Sequence, residues 1–442
     1  MKKNIFFFVF NLCVIGGLLL NLNSCNTTET PIPPPNNITI YNTINITIEW
    51  TDLYRIKLKW NISTKDTLKN YSYELYRKDE IGVETTLNFY ISGTDTSYID
   101  GETDSLASGK NFIYRVRAFD NKNKLIDTSR TITAKTLSPT SHNITWQIDT
   151  LGQPGNFLYD VWGLDENNVY SVGFVELQSG NSSIIKWDGI EWKAFTNVGG
   201  VKYGIFCFSE ASIFVVGESS NRGIVAIWDG TQWMEYRSDY FLARGDTVYP
   251  LYAIWGSSPD DVWAVGDKGT IIHWDGVEWR KIDAGITTRI TSIWGKSESE
   301  IYIVPISGVR SSLYKFDGSF WNKIFDDIGI YSTTLWSAKS GNLIIGGTSL
   351  LEYDGSILRS INIAGRTRGI VKVRGSNINN IFTAGDFGEI KHFDGLTWQD
   401  ISDFEVPNGK YRVLHSVWCT ENKVFIVGED ENRAIVITGT IH

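Results

Sequence analysis

Residues that carry chemistry are scarce in this chain. Its 442 residues include only 4 Cys, 5 His and 2 Met. Four Cys are too few for the dense disulfide framework of a small secreted domain, and so few His and Cys leave little material for a metal enzyme. There is no His-Glu-x-x-His, EF-hand loop, Walker loop or Gly-x-Ser-x-Gly, and no cofactor is implied. Positive charge is also short. Lys and Arg number 41 against 50 Asp and Glu, a net charge of −9, and no basic cluster stands out, which argues against nucleic acid as a partner. What is abundant is apolar and aromatic. Hydrophobic residues make up 42% and aromatics 13%, with 17 Trp, so the chain can bury a large core and is not disordered.

The first residues read as an address. Met1-Lys2-Lys3 is a short basic start, and Ile5 to Leu20 is an apolar run, the two parts of a secretory leader. Leu22-Asn23-Ser24-Cys25 follows and resembles a bacterial lipobox. That resemblance implies cleavage after Ser24 and acylation of Cys25, hence membrane attachment through lipid and an outer-membrane lipoprotein of either face. Several acyl chains on one residue anchor stably where one alone is marginal. Residues 25–37 hold Pro31, Pro33, Pro34 and Pro35 and read as a semi-extended tether. Loss of residues 1–24 removes Lys2 and Lys3 and takes the net charge from −9 to −11. An acidic body does not adhere to anionic lipid, so the acyl group has to supply the attachment.

Residues 38–137 show short alternating segments: Ile44 to Trp50, Arg55 to Trp60, Tyr71 to Tyr76, Thr85 to Ile91, Phe112 to Phe119 and Arg130 to Thr136. About a hundred residues of this kind suggest a β-sandwich. The pattern resembles fibronectin type III, with Trp60 closing the second strand, Tyr73 to Arg77 as the third, and Leu106, Gly109 and Phe112 to Ala118 leading into the sixth. Phe112 stands where that family has its corner Tyr, so the corner hydroxyl bond is expected to be missing.

Residues 141–442 repeat with a period near forty. Each block has four strand-like pieces, A to D, and Asp-Gly falls between C and D at 188–189, 229–230, 275–276, 317–318, 354–355 and 394–395. Asp-Gly between alternating apolar runs is a hairpin signal, read here as type I′ turns. A last block from His415 supplies A, B and C only, and the missing D piece is Ile144 to Asp149. Pairing the first strand with the last block is how propellers avoid an open edge. The expectation is an all-β chain: a fibronectin type III-like sandwich, then a seven-bladed β-propeller closed by its own N- and C-terminal strands. The repeat loosely resembles secreted bacterial propellers of the BNR/Asp-box superfamily, although the Asp-box proper separates its Asp and Gly by one residue.

Fourteen of the 17 Trp fall in repeat columns. Strand A carries Trp162, Trp255, Trp294, Trp336 and Trp418. The position before Asp-Gly carries Trp187, Trp228 and Trp274, and strand D carries Trp146, Trp192, Trp233, Trp279, Trp321 and Trp398. Locked to columns, they read as filling between blades. Cys207 and Cys419 share the column of Gly163, Gly256 and Gly295, on blades too far apart for a disulfide. His273 and His392 share a column too and read as strand residues, not metal ligands.

Ligands of propellers usually meet the rim shared by the B–C and D–A connections. Here the B–C turns place a carboxylate after Gly in four blocks: Glu218, Asp267, Asp386 and Glu429. Arg289, Arg368 and Arg412 enter ahead of strand A, and Tyr240, Phe241 and Arg244 lie in the longest D–A loop. Three functions compete. The first is a monomeric, non-catalytic binding or scaffold lipoprotein whose rim holds a protein or an envelope polysaccharide. The second is a glycosidase or lyase using Glu218 with Asp267, or Asp386 with Glu429. The third is an assembly factor that docks a client on the three arginines.

Overall fold

The computed structural model describes residues 43–63, 71–89, 96–178, 180–363, 368–401, 404 and 411–442. The expected leader, Cys25 and tether lie outside them.

Period-two burial builds the N-terminal part. Eight strands are described: β1 (Thr43–Thr51), β2 (Ile56–Ser63), β3 (Ser72–Lys78), β4 (Glu84–Phe89), β5 (Ser97–Asp100), β6 (Asn111–Phe119), β7 (Leu125–Thr128) and β8 (Ile132–Lys135). β1, β2 and β5 form one antiparallel sheet. β4, β3, β6 and β7 form the other, with β8 also on β6. Along β6 the side chains of Phe112, Tyr114, Val116 and Ala118 turn inward and meet Ile44, Leu58, Trp60 and Leu75 in one core. β5 and β7 have no counterpart in the alternation pattern, because their burial does not alternate along the strand. Tyr114 donates to Asp100 across the two sheets at 2.7 Å, and Arg77 reaches the same carboxylate at 2.7 Å. Phe112 has no such bond and packs under the Arg77 guanidinium.

From Phe157 onward the chain builds successive antiparallel sheets of four main strands ordered A-B-C-D, the fourth sheet carrying an extra two-residue strand, Arg310–Ser311. Their A strands are Phe157–Asp165, Val201–Ser209, Leu251–Ser258, Arg289–Ser297, Ser332–Trp336, Ile370–Asn377 and Arg412–Cys419. The last sheet takes its fourth strand from β9 (Ile144–Leu151), which pairs with Arg433–Ile441 from Ala434↔Leu151 to Ile441↔Ile144. The edge of the C-terminal sheet is thereby covered by the strand around Trp146.

The Trp columns hold consecutive sheets together. Trp187 and Trp192 of the first sheet pack on Phe425 of the last, Trp228 and Trp233 on Phe195, and Trp321 on Trp263. The A-strand column needs a small neighbour. A Cβ on Gly163 would lie 2.5 Å from the Trp418 ring, and one on Gly295 would lie 2.4 Å from Trp255. The glycine column is thus a seat for the aromatic of the preceding sheet. Cys207 and Cys419 occupy the same seat, buried and unpaired with each other.

The Asp-Gly loops are not type I′ turns. Trp187 pairs with Trp192 and Trp274 with Trp279, leaving four loop residues. Only the Gly has positive φ, as at Gly189 (93°) and Gly276 (86°). The Asp caps the loop instead, its Oδ1 accepting N–H bonds from the residues two and three further on. Type I′ geometry occurs in the B–C turns at Ser220-Asn221 and Glu431-Asn432, where both residues have positive φ.

The connection between the N-terminal sheets and the propeller is clamped to the sixth sheet. Thr140 donates to Asp394 O at 2.9 Å and to Asn379 O at 2.5 Å, and Asn379 donates to Ser138 O at 2.6 Å. His142 Nδ1 meets His392 Nδ1 at 2.9 Å. His392 stacks on Phe382 and bonds Asn380, as His273 stacks on Trp263 and bonds Asp261. The shared His column therefore makes one repeated contact. Burial beside His142 pushes the His392 imidazole down to about 3, so it is neutral at physiological pH.

Candidate functional site

The upper ends of the A strands, the B–C turns and the D–A connections meet at one mouth of the ring. One A-strand column there reads Tyr159, Tyr203, Tyr252, Thr291, Thr333, Val371 and His415. Its aromatics form a wall: Tyr159 lies 5.1 Å from Tyr203 and 5.2 Å from His415, and Tyr203 lies 5.3 Å from Tyr252, centroid to centroid. None of these was nominated from the sequence, although the repeat alignment places them in one column.

Three of the four turn carboxylates attach to this wall. Glu218 accepts from the Tyr203 hydroxyl at 3.0 Å, and Asp267 accepts from Tyr252 at 3.0 Å. Glu429 accepts from Tyr411 at 2.9 Å and stands 3.8 Å from His415. Burial and the neighbouring acid push the Tyr252 phenol up to about 12. Asp386 differs. Its carboxyl makes no hydrogen bond among the described residues and lies against Gly369, where a Cβ would come within 2.6 Å of Oδ2. Burial raises its pKa, against the pull of His415. Glu429 is held below the usual range by His415 and Tyr411.

The arginines do not converge. Arg289 binds Asp267 at 2.6 Å and covers the Tyr252 ring at 4.8 Å. Arg412 binds Asp430 at 2.7 Å and the Phe404 carbonyl. Arg368 lies over Phe387, and its backbone N–H donates to Glu389. Arg368 and Arg412 thus flank the 386–389 turn, while Arg289 belongs to the turn of the third sheet. Tyr240 is elsewhere. It sits on the short helix Ser238–Leu242, its hydroxyl accepts the Trp279 backbone N–H at 3.1 Å, and Arg244 covers its ring. The long loop folds back along an outer strand instead of reaching the mouth, and Phe241 is buried beneath it.

Below the tyrosines lies a buried charge set that sequence reading missed. The next column holds small residues, and several of them latch the following sheet. Ser292 Oγ accepts the Leu335 N–H at 3.1 Å, and Thr334 Oγ1 accepts the Val373 N–H at 3.2 Å. In the first sheet this position is Asp160, which accepts the Ile205 N–H at 3.2 Å. Asp160 also takes Ser416 at 2.5 Å, Arg374 at 3.1 Å and Lys372 at 3.4 Å. Burial works against its ionised form, but Arg374 and Lys372 hold its pKa below the usual range. Burial, with Arg374 beside it, pushes Lys372 down to about 8. Arg374 stands where most A strands carry Trp, and Lys372 where they carry Ser, Thr, Ala or Gly. Those two departures from the columns were the available signal. Among the described residues no group of three or more His, Cys, Asp or Glu is arranged to hold a metal ion.

No family model matches this chain, and no curated protein does. Solved structures match it in fold. A structure of "YCF48 bound to D1 peptide" is 15% identical over 69% of this chain and 97% of that one, with a TM-score of 0.53. Virginiamycin B lyase from Staphylococcus aureus is 11% identical over 68% of this chain and 100% of that one, also with a TM-score of 0.53. At such identities the likeness is one of architecture. The chain is all-β and contains a β-propeller.

Proposed function

We propose that this chain is a non-catalytic, membrane-anchored binding protein whose upper mouth holds a basic segment of a protein partner. The observation that carries the reading is the tyrosine wall with carboxylates above it. Phenol faces attract Lys and Arg, each contact worth about 0.5–2 kcal/mol depending on desolvation. Glu218, Asp386 and Glu429 have no arginine or lysine ion pair among the described residues. A cationic segment is the complement of that mouth. One propeller of similar fold is known with a peptide bound, which agrees with this reading. In the same account the ring has seven blades, the N-terminal module is of fibronectin type III kind, and Cys25 carries the lipid that fixes a monomer to the outer membrane.

The test is fluorescence anisotropy of a labelled Lys/Arg-rich peptide with the full chain. Saturable binding that weakens with salt is expected. Combined Glu218→Gln, Asp386→Asn and Glu429→Gln should weaken it at least tenfold. Equal affinity in the triple variant, or tighter binding of an acidic peptide, overturns the proposal.

One observation favours a second reading, that of a glycosidase. Asp386 and Glu429 flank His415 with their pKa values displaced in opposite directions, the division of labour an acid and its partner carboxylate need. Turnover of an envelope glycan that disappears in Asp386→Asn, with the fold intact, would replace the first reading by this one.

A further inference from the structure

The other end of the lumen has the opposite character. Trp162 and Trp294, from the first and fourth sheets, meet at 6.1 Å and close the axis there. Beneath them opens a recess of about 370 Å³, walled by Trp162, Trp294, Trp336 and Trp418. Arg374 and Lys339 are the charged residues of its lining, and no carboxylate among the described residues lines it.

Arg374 is built into this site. Its side chain is only 8% exposed, and its guanidinium lies 4.8 Å from the centre of the Trp162 ring. Nη1 is committed to Asp160, to the Val161 carbonyl at 2.7 Å and to Ser416. Nη2 makes one long contact with Asp160 at 3.4 Å. Nε makes no hydrogen bond among the described residues, so the Nε–Nη2 edge, the edge that pairs with a carboxylate fork, is under-used.

Charge points the same way. Asp160 is the one carboxylate within ion-pair distance of both Arg374 and Lys372 among the described residues. The buried set therefore carries one positive charge in excess, and exposed Lys339 adds another at the mouth. Uncompensated buried charge is costly, and an anion at the recess relieves it. Flat indole walls favour a ring with a face that can lie against them, aromatic or pyranose, to carry that anion. The volume admits a single ring with its substituent.

We propose that this lower recess binds a carboxylate borne on a ring, with the carboxylate on the Nε–Nη2 edge of Arg374 beside Lys339 and the ring between the tryptophans. Aromatic acids and sugar acids share this chemistry. The site is independent of the basic-peptide mouth at the other end of the lumen.

The test is titration of the full chain with benzoate and with glucuronate, read by tryptophan fluorescence. Benzamide and glucose serve as neutral counterparts. Saturable binding of at least one acid is expected, at least tenfold tighter than its neutral counterpart. Binding of benzoate alone assigns an aromatic acid, and binding of glucuronate alone a sugar acid. Lys339→Gln, a surface change that leaves the buried pair in place, should weaken binding about threefold to tenfold. Arg374→Gln should abolish it, with circular dichroism checking the fold. The Lys/Arg-rich peptide should not compete. Absence of saturable binding by either acid, equal binding of the neutral counterpart, or unchanged affinity in Lys339→Gln and in folded Arg374→Gln overturns the proposal.

Discussion

Replacing Asp160 by Ser exchanges a buried carboxylate for the hydroxyl that Ser292 and Ser416 supply in the same column. The latch to Ile205 is within the reach of a hydroxyl, but the two cations lose their counter-ion. Buried Arg374 and four-fifths-buried Lys372 are then left without a counter-ion, and breaking such a set costs about 3–5 kcal/mol. At a urea dependence of about 2–3 kcal/mol per molar, the midpoint should fall by about 1–2.5 M at pH 7. Tryptophan fluorescence reads it, because the ring carries most of the 17 Trp. The control removes the charges together. Asp160→Ser with Lys372→Thr and Arg374→Met replaces the set by small and apolar groups and should return to within about 1–2 kcal/mol of the parent chain, since apolar replacements of buried ion sets are often neutral. A single variant that loses less than about 1 kcal/mol, or a triple variant as unstable as the single one, refutes the reasoning.

Lys372 gives a pH signature. Its ammonium has a pKa of about 8 in the fold and an ordinary value near 10.4 when unfolded, so the unfolded chain binds the extra proton between those limits. Stability should therefore rise as pH climbs from about 8 to 10, by at most about 3 kcal/mol, and urea midpoints of Lys372→Met should lack that rise. Gly163→Ala drives a Cβ into the Trp418 ring and should cost about 1–3 kcal/mol by the same assay, a loss reduced in the Trp418→Ala background. Deleting 144–151 uncovers the Arg433–Ile441 edge. Lower thermal stability and self-association on size-exclusion chromatography are expected, and an unchanged monomer would speak against strand closure.

The repeat was legible because it is written in columns. Trp before three of the C–D loops and after five of them, Gly or Cys after most A-strand aromatics, and the D strand displaced to Trp146 all sit where the alignment puts them. Turn chemistry was only half legible. Asp-Gly marked the loops, but in four residues the Asp serves as a side-chain cap, and the two-residue turn lies on the other side of strand C. The long 236–250 loop looked like a rim element by composition, yet the Tyr240 hydroxyl is drawn to an outer-strand N–H. Asp160 and Arg374 could not be paired from sequence, being 214 residues apart. Each occurs once, and a column argument values repetition over exception. The exceptions are where the charge is.

Photo-crosslinking in intact cells measures most directly which face engages a partner. A crosslinking residue at Phe387 reports the upper mouth, and one at Val277, on a C–D loop, reports the opposite face. The account expects a discrete protein adduct from position 387, diminished by the Glu218, Asp386 and Glu429 substitutions, and none from 277. An adduct from 277 alone, or one from 387 that survives those substitutions unchanged, would contradict it.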